Sequence, residues 1–279
     1  MAARGARVLV AWEETTHYGD QIYYAASANH GLTFTTPLPI GSRIWTAHPD
    51  VAFTTADADV VLFEDDWSIA AARWTPAGFA TPVFVGTGAE PALAAGDDGW
   101  LAAVFADDAW FGARDLWGSV STDGGTTWTA RNDLTGTSQI DESAPTVSAD
   151  GTDVLVAWLE TTTSGYAVGV GAGSISGHAP LQLRGTATAA AAATTRPTVH
   201  GGRYGRIAYD VDGELTMAAV APDPLYLPGG TAPLQFGSRK DVTRGVAHAR
   251  QPRLFAGAPA MLAWLDDRTA PGSADVFVY

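Results

Sequence analysis

The feature that most constrains the fold of this 279-residue chain is a phrase recurring roughly every fifty residues. A proline leads into a short apolar strand, a turn follows, and a second apolar strand ends in an aromatic residue and acids. The prolines are Pro49, Pro91, Pro145, Pro197 and Pro252, separated by 42, 54, 52 and 55 residues. Proline suits the first residue of a strand, where no ladder N–H is required. The second strands read Val8–Trp12, Val60–Phe63, Leu101–Phe105, Val154–Trp158, Arg206–Tyr209 and Met261–Trp264. A third strand follows each, as at Gln21–Ala26 and Tyr166–Ala172, and fourth strands show at Phe34–Ile40, Phe79–Val85, Leu181–Leu183 and Leu234–Phe236.

Short strands in fours at this period mark a β-propeller, because one blade cannot bury both faces alone and must stack on its neighbours. The expectation is an all-β, six-bladed propeller of four-stranded antiparallel sheets. It forms one domain over 1–279, with blades near 6–40, 48–86, 90–135, 144–185, 196–237 and 251–279. Blade one lacks a proline-bearing inner strand and blade six ends after its third. Thr186–Thr195, rich in alanine and threonine, reads as a connector, and Ala221–Thr231, with three prolines, reads as a loop.

Ser121-Thr122-Asp123-Gly124-Gly125-Thr126-Thr127-Trp128 reads as a tight turn. Its glycines supply positive φ without steric cost, Asp123 can accept hydrogen bonds from N–H groups of its own turn, and Trp128 anchors the exit. The stretch resembles the Asp-box of the sialidase-like (BNR repeat) β-propellers, Ser-x-Asp-x-Gly-x-Thr-Trp. Ser121, Asp123, Gly125, Thr127 and Trp128 meet all of its defining positions. A second copy at Ser27, Asn29, Gly31, Thr33 and Phe34 departs at Asn29 and Phe34, both conservative for such a turn. In that family the box lies away from the active site, so the resemblance implies a fold and leaves the chemistry open.

Charge and composition narrow the partners. The chain carries 30 acidic against 16 basic residues, a formal charge of −14, with Lys240 its one lysine. A field of this sign argues against nucleic acid or an anionic membrane as a direct partner. No apolar run is long enough to insert in a membrane as a helix. The absence of cysteine excludes disulfides and thiolate metal sites. The first residues lead into Val8-Leu9-Val10-Ala11-Trp12 and then Glu13, too short an apolar run for a secretory signal.

Acids follow the aromatic strand ends: Glu13 and Glu14, Glu64 to Asp66, Asp107 and Asp108, Glu160, Asp210 and Asp212, Asp266 and Asp267. Equivalent strands place them at one end of the blades, as solvated corners and turn-capping groups. Clustered oxygens also suit a structural Ca²⁺, yet no Asp-x-Asp-x-Asp-Gly loop occurs and no cofactor is assigned. The six histidines contain no His-x-His or His-x-x-x-His pair, so zinc is not indicated.

The family resemblance implies one enzymatic reading, an exo-glycosidase of the sialidase type. Such enzymes clasp the substrate carboxylate with three arginines and use a tyrosine nucleophile, with retention. Arg250 stands in an Arg-x-Pro phrase like the family's first arginine, and Arg196 and Arg43 lie near other inner strands. Asp266 or Asp267 would be the acid and Tyr209 or Tyr204 the phenol. The phrase falls in the last blade, however, and no Tyr–Glu partnership can be assigned, so the reading leans away from catalysis. The favoured expectation is a non-catalytic module that binds glycans or a protein surface, or serves structurally in a larger assembly such as a virion tail or capsid-surface adhesin. An extracellular or virion-surface location suits it. Trp67 and Trp110, which follow acidic loops, are the expected ligand-stacking residues, with Asp66 and Asp108 beside them.

Overall fold

The computed structural model describes residues 1–41, 45–54, 59–96, 99–107, 112–137, 139–163, 165–193, 195–202, 205–211, 214–222, 234–237, 240–243, 249–255, 261–270 and 273–278. Two compact units make up the chain: residues 1–108, 116–134 and 175–181 in the first, and residues 109–115, 135–174 and 182–279 in the second. Among the described residues there is no α-helix, and the strands form six antiparallel meanders.

In the first unit, β1 (Ala2–Arg4), β2 (Arg7–Thr16), β3 (Gly19–Ser27) and β4 (Leu38–Pro39) pair in chain order. β5 (Thr46–Phe53), β6 (Asp59–Asp65) and β7 (Ser68–Thr75) continue the pattern, with β8 (Gly78–Phe79) and β9 (Val83–Thr87) both on β7. β10 (Ala89–Ala95), β11 (Leu101–Asp107), β12 (Asp115–Ser121) and β13 (Asn132–Asp133) form the third sheet. The inner strand that blade one lacks by the proline criterion is β1, which pairs Ala2 with Leu9.

In the second unit one meander is β14 (Glu142–Asp150), β15 (Asp153–Thr162), β16 (Gly165–Ser174) and β17 (Gln182–Ala193). The next is β18 (Thr198–His200), β19 (Gly205–Val211), β20 (Glu214–Pro222) and β21 (Leu234–Phe236), with β22 (Lys240–Asp241) also on β20. A single pairing, Ala193 with Val211, joins the two into one sheet. β23 (Ala249–Phe255), β24 (Met261–Ala270) and β25 (Ser273–Val278) complete the chain.

The second strand of each meander is apolar without alternation because both of its faces are covered. In β6, Val61 and Phe63 join Leu9, Ile22 and Tyr24 of the first sheet, whereas Val60 and Leu62 join Leu93, Leu101 and Phe105 of the third. The period-2 geometry of a strand thus sends successive residues into two different cores. The second unit repeats this, with Ile207 and Tyr209 in one cluster and Ala208 in another.

Pro197 directly precedes β18, whereas the other four prolines differ from the expectation of strand starts. Pro49, Pro91, Pro145 and Pro252 lie inside β5, β10, β14 and β23, each at a register shift. In β5, Ala47 pairs Glu64 and Asp50 pairs Leu62, so three residues are spanned against two. The extra residue is a β-bulge, and a residue lacking an N–H fits there because no ladder bond is lost. The residue before each of these prolines has positive φ: His48 50°, Glu90 54°, Ala144 50° and Gln251 52°.

The expected connector at Thr186–Thr195 is strand β17 as far as Ala193. β16 offers it a long edge, and pairing runs from Ser174 with Gln182 to Tyr166 with Ala193 through three register shifts. That edge outweighs the local helix propensity of the alanine run.

Candidate functional site

In the first unit, the end of the sheets at which β6 turns into β7 gathers aromatic rings and acids. The β6–β7 turn carries Asp66, at φ 63°, and Trp67, which is 84% exposed. Trp45, just before β5, is 62% exposed at φ 70°. Their rings face solvent while their backbones are tied down. The Asp66 N–H donates to the Trp45 carbonyl at 3.1 Å, and the Gly88 N–H donates to the Trp67 carbonyl at 3.3 Å. Nearby on β2, the Trp12 ring stacks on Tyr23 at 6.3 Å and its indole N–H reaches Glu14 Oε2 at 3.4 Å.

The bulge in β5 positions His48 among acids. Its backbone N–H points to Glu13 Oε2 at 3.4 Å, and its ring Nδ1 lies 2.8 Å from Glu64 Oε1. The same Glu64 oxygen accepts the N–H of Glu90, the bulge residue of the third sheet. The hydrogen bond from Glu64 raises the His48 pKa above the ordinary imidazole value, over a smaller opposing effect of burial, and the charges of Glu64, Glu13 and Glu90 add to it. Burial pushes Glu64 upward, but the His48 ring and the Glu90 N–H outweigh it and leave the carboxyl below its usual range.

Of the other acids at the strand ends, Asp107, Glu160, Asp210 and Asp266 serve as internal acceptors. Asp107 takes the Arg131 guanidinium and the Thr87 hydroxyl, the latter at 3.0 Å. Glu160 accepts the Trp158 indole N–H at 3.1 Å, and Asp266 accepts that of Trp264 at 3.4 Å. These repeat the Trp12–Glu14 arrangement: aromatic and acid two residues apart lie on one face of the strand. Asp210 is fully buried and accepts both the Thr195 N–H, at 2.9 Å, and the Thr195 hydroxyl. Among the described residues no group of three His, Asp or Glu side chains is placed to hold a metal ion.

The residues of the catalytic reading fall as follows. Arg196 and Arg250 are half-buried in the second unit. The Arg196 guanidinium donates to the Pro145 carbonyl, and Arg250 pairs with Leu265 across β23 and β24. Tyr209 is 1% exposed, packed with Leu155, Ile207 and Val220, and Asp266 is 0% exposed. Arg43, Tyr204, Asp108 and Trp110 lie outside the described residues, as does the side chain of Asp267.

The two turns with the Ser-x-Asp/Asn-x-Gly-x-Thr pattern have matching hydrogen bonds. Asp123 Oδ1 accepts the Thr127 N–H at 2.9 Å, and Asn29 Oδ1 accepts the Thr33 N–H at the same distance. Gly125 N–H donates to Ser121 Oγ at 2.8 Å, and Gly31 N–H to Ser27 Oγ at 3.0 Å. Asp123 also takes the Thr127 hydroxyl at 2.6 Å, a bond Asn29 replaces with its own amide donating to Thr33 at 2.8 Å. Gly125 sits at φ 86°, where an added Cβ would lie 3.0 Å from Val60. Trp128 packs against the core of the first unit, whereas Phe34 is 46% exposed.

His48 with Glu64 is the grouping that sequence reasoning missed. No spacing along the chain reveals it, because the pair forms across strands. The signal was the proline phrase itself, since the bulge register brings the residue before Pro49 against the second strand.

No family model and no curated protein matches the chain. Solved structures do. A protein of unknown function from Dyadobacter fermentans is 12% identical, with a TM-score of 0.61 over 98% of this chain and 90% of its own. The NanB sialidase from Streptococcus pneumoniae is 7% identical, with a TM-score of 0.57 over 98% of this chain and 66% of its own. The chain has the sialidase-like β-propeller fold. A polysaccharide lyase of family PL25, an ulvan lyase, also shares the fold, at 10% identity and a TM-score of 0.59 over 93% of this chain and 70% of its own. In this propeller the exposed Trp45 and Trp67 stand on the β6–β7 end of the second blade, beside the His48–Glu64 pair.

Proposed function

We propose that this chain, as one propeller domain over 1–279, is a non-catalytic glycan-binding module whose contact surface is the platform of Trp45 and Trp67. The observation that carries the reading is two indoles, 62% and 84% exposed, on backbone held by hydrogen bonds. Large apolar rings left in water on a fixed frame suit stacking on sugar faces, and Glu13, Glu14, Asp66 and His48 supply polar groups for hydroxyls. Similarity of fold to a sialidase and to an ulvan lyase supports a carbohydrate as partner. The two glycine turns act as Asp-box turns that brace the blades. A role on an outer surface, as an adhesin or a virion tail or capsid component, fits the same surface.

The test is binding to a glycan array, followed by calorimetry on the best oligosaccharide. Trp67→Ala and Trp45→Ala are each expected to weaken binding by about tenfold with folding intact. A blank array with folded protein would discard the reading.

The second reading is the sialidase-type exo-glycosidase, favoured by Arg250 in its Arg-x-Pro phrase. The burial of Tyr209 and Asp266 weighs against it. Turnover of a fluorogenic sialoside, lost in Arg250→Ala, would replace the first reading with this one.

A further inference from the structure

The turns at one end of the first two blades are built alike. β2 passes into β3 through His17 and Tyr18, and β6 into β7 through Asp66 and Trp67, each a two-residue turn. An aromatic residue takes the second place in both, Tyr18 at 75% and Trp67 at 84% exposure. The Tyr18 backbone is held as well: its N–H donates to Thr16 Oγ1 at 3.2 Å, and that hydroxyl donates to the Gly19 carbonyl at 2.6 Å. The first two sheets pack face to face through Leu9, Ile22, Val61 and Phe63. Sheets packed in this way lie about 10 Å apart, so Tyr18 and Trp67 stand too far apart for one sugar ring and within reach of an oligosaccharide.

Asp66 is exposed, and among the described residues its carboxylate has no hydrogen-bond or ion-pair partner. Its bond from N–H to the Trp45 carbonyl sets it next to Trp45 in space, as the chain sets it next to Trp67. Glu13 and Glu14, exposed near the β2–β3 turn, are further carboxylates at this end. The described arginines of the first two blades lie toward the opposite end: Arg4 pairs with Arg7 at the β1–β2 turn, and Arg73 pairs with Val60 near the start of β6. The basic groups described at this end of the two blades are two histidines. Glu64 holds the ring of His48, and the ring of His17 meets Tyr18 edge-on at 5.2 Å.

We infer, granted the glycan-binding reading, that the platform selects glycans whose sugars carry a free amino group, with ring faces on Trp45, Trp67 and Tyr18 and an ammonium group at Asp66. The ammonium answers the open carboxylate and is drawn at the same time to the negative face of an indole. A sialic or uronic acid would bring its own carboxylate against Asp66, Glu13 and Glu14, in the field of a chain of net charge −14. A neutral sugar can donate hydroxyls to Asp66 but brings no charge to oppose it.

Calorimetry on the full chain tests this with three hexasaccharides: a glucosamine hexamer, its N-acetylated form and a galacturonate hexamer, at a pH where the amines are charged. The glucosamine hexamer is expected to bind about tenfold more tightly than the N-acetylated one, with the galacturonate weakest, and added salt should shrink the difference. Asparagine also tolerates the left-handed backbone of Asp66, so Asp66→Asn keeps the turn and should bring the first two affinities to within about threefold of each other. Tyr18→Ala should weaken the glucosamine hexamer several-fold more than a glucosamine dimer, as a second contact one blade away requires. Equal binding of the first two hexamers, tightest binding of the galacturonate, or a preference that persists in folded Asp66→Asn would overturn the inference and leave glycan binding in place. Binding of no glycan by folded protein would remove both.

Discussion

The Nδ1 of His48 lies 2.8 Å from Oε1 of Glu64, across two neighbouring strands of one blade, and the backbone N–H of Glu90 from the next blade shares that oxygen. One carboxylate therefore joins a surface imidazole to the bulge of the following sheet. The expected outcome is an NMR titration midpoint for His48 above the 6.5 of an ordinary imidazole, returning toward it in Glu64→Gln. A raised histidine pKa contributes stability that is complete below 6.5 and lost as pH rises through the folded value. The lowered Glu64 contributes stability present above 4.5 and lost as pH falls through its folded value. The pair is thus strongest between the two folded midpoints. With the His48 side chain 59% exposed, its share of stability stays below about 1 kcal/mol.

Equivalent positions peg adjacent blades together. Asp50 Oδ2, one residue after Pro49, accepts the Leu93 N–H of the next blade at 2.8 Å. Thr198, one residue after Pro197, accepts the Leu254 N–H at 3.2 Å. Asp50→Ala leaves a donor without its acceptor beside the buried Leu93 and should cost about 1–3 kcal/mol in denaturant unfolding. Asp50→Thr, copying Thr198, should recover part of it. An alanine variant as stable as the parent would show that the bond contributes nothing net.

How much of this could be read from residue order depends on whether the cause is local. The aromatic and acid rhythm is legible because each second strand is covered on both faces, so Val60, Val61, Leu62 and Phe63 must all be apolar. The turn at Ser121 to Trp128 is legible because its hydrogen bonds close within a few residues. The bulges at the prolines are not, since a register shift is a property of two strands. Strand β17 is not, since Ala187, Ala190 and Ala191 extend only because β16 offers them an edge. The prominence of Trp45 escapes too: its exposure follows from a backbone held at φ 70°.

The matching turns make a second-site comparison. Asp123 is drawn below its usual pKa: burial pushes it up, and the Thr127 hydroxyl and N–H, the Ser121 hydroxyl and the Thr126 N–H outweigh that. Its contribution is present above 3.8 and is lost as pH falls through the folded value. Asp123→Ala should cost about 1 kcal/mol near neutral pH. Asp123→Asn should cost less, because Asn29 sustains the equivalent turn. Equal losses in the two variants would mean that the charge, rather than the acceptor geometry, holds the turn.

Gly169 stands directly opposite Trp158 on the neighbouring strand. A methyl group there would collide with the Trp158 ring and with Glu160 Oε1. Trp158 is 2% exposed and its N–H is held by Glu160, so the ring has little room to move. Gly169→Ala should therefore destabilise by about 1–3 kcal/mol, read as a lower midpoint in thermal or urea unfolding. A Trp158→Phe background, with a smaller ring, should soften the loss; an unchanged loss there would place the collision elsewhere.

Trp45 is where stability and binding should separate. A bulky residue at φ 70° sits in the region that L side chains enter at a cost of about 1–2 kcal/mol, and a ring 62% exposed returns little of that through burial. Glycine adopts the same backbone without the clash. Trp45→Gly should thus leave thermal stability equal or higher while glycan affinity falls by about tenfold. Strain retained for an exposed ring is what a binding surface requires and a structural residue does not. A clear drop in stability in Trp45→Gly, with affinity unchanged, would instead make Trp45 a brace for the Asp66 turn and remove it from the platform.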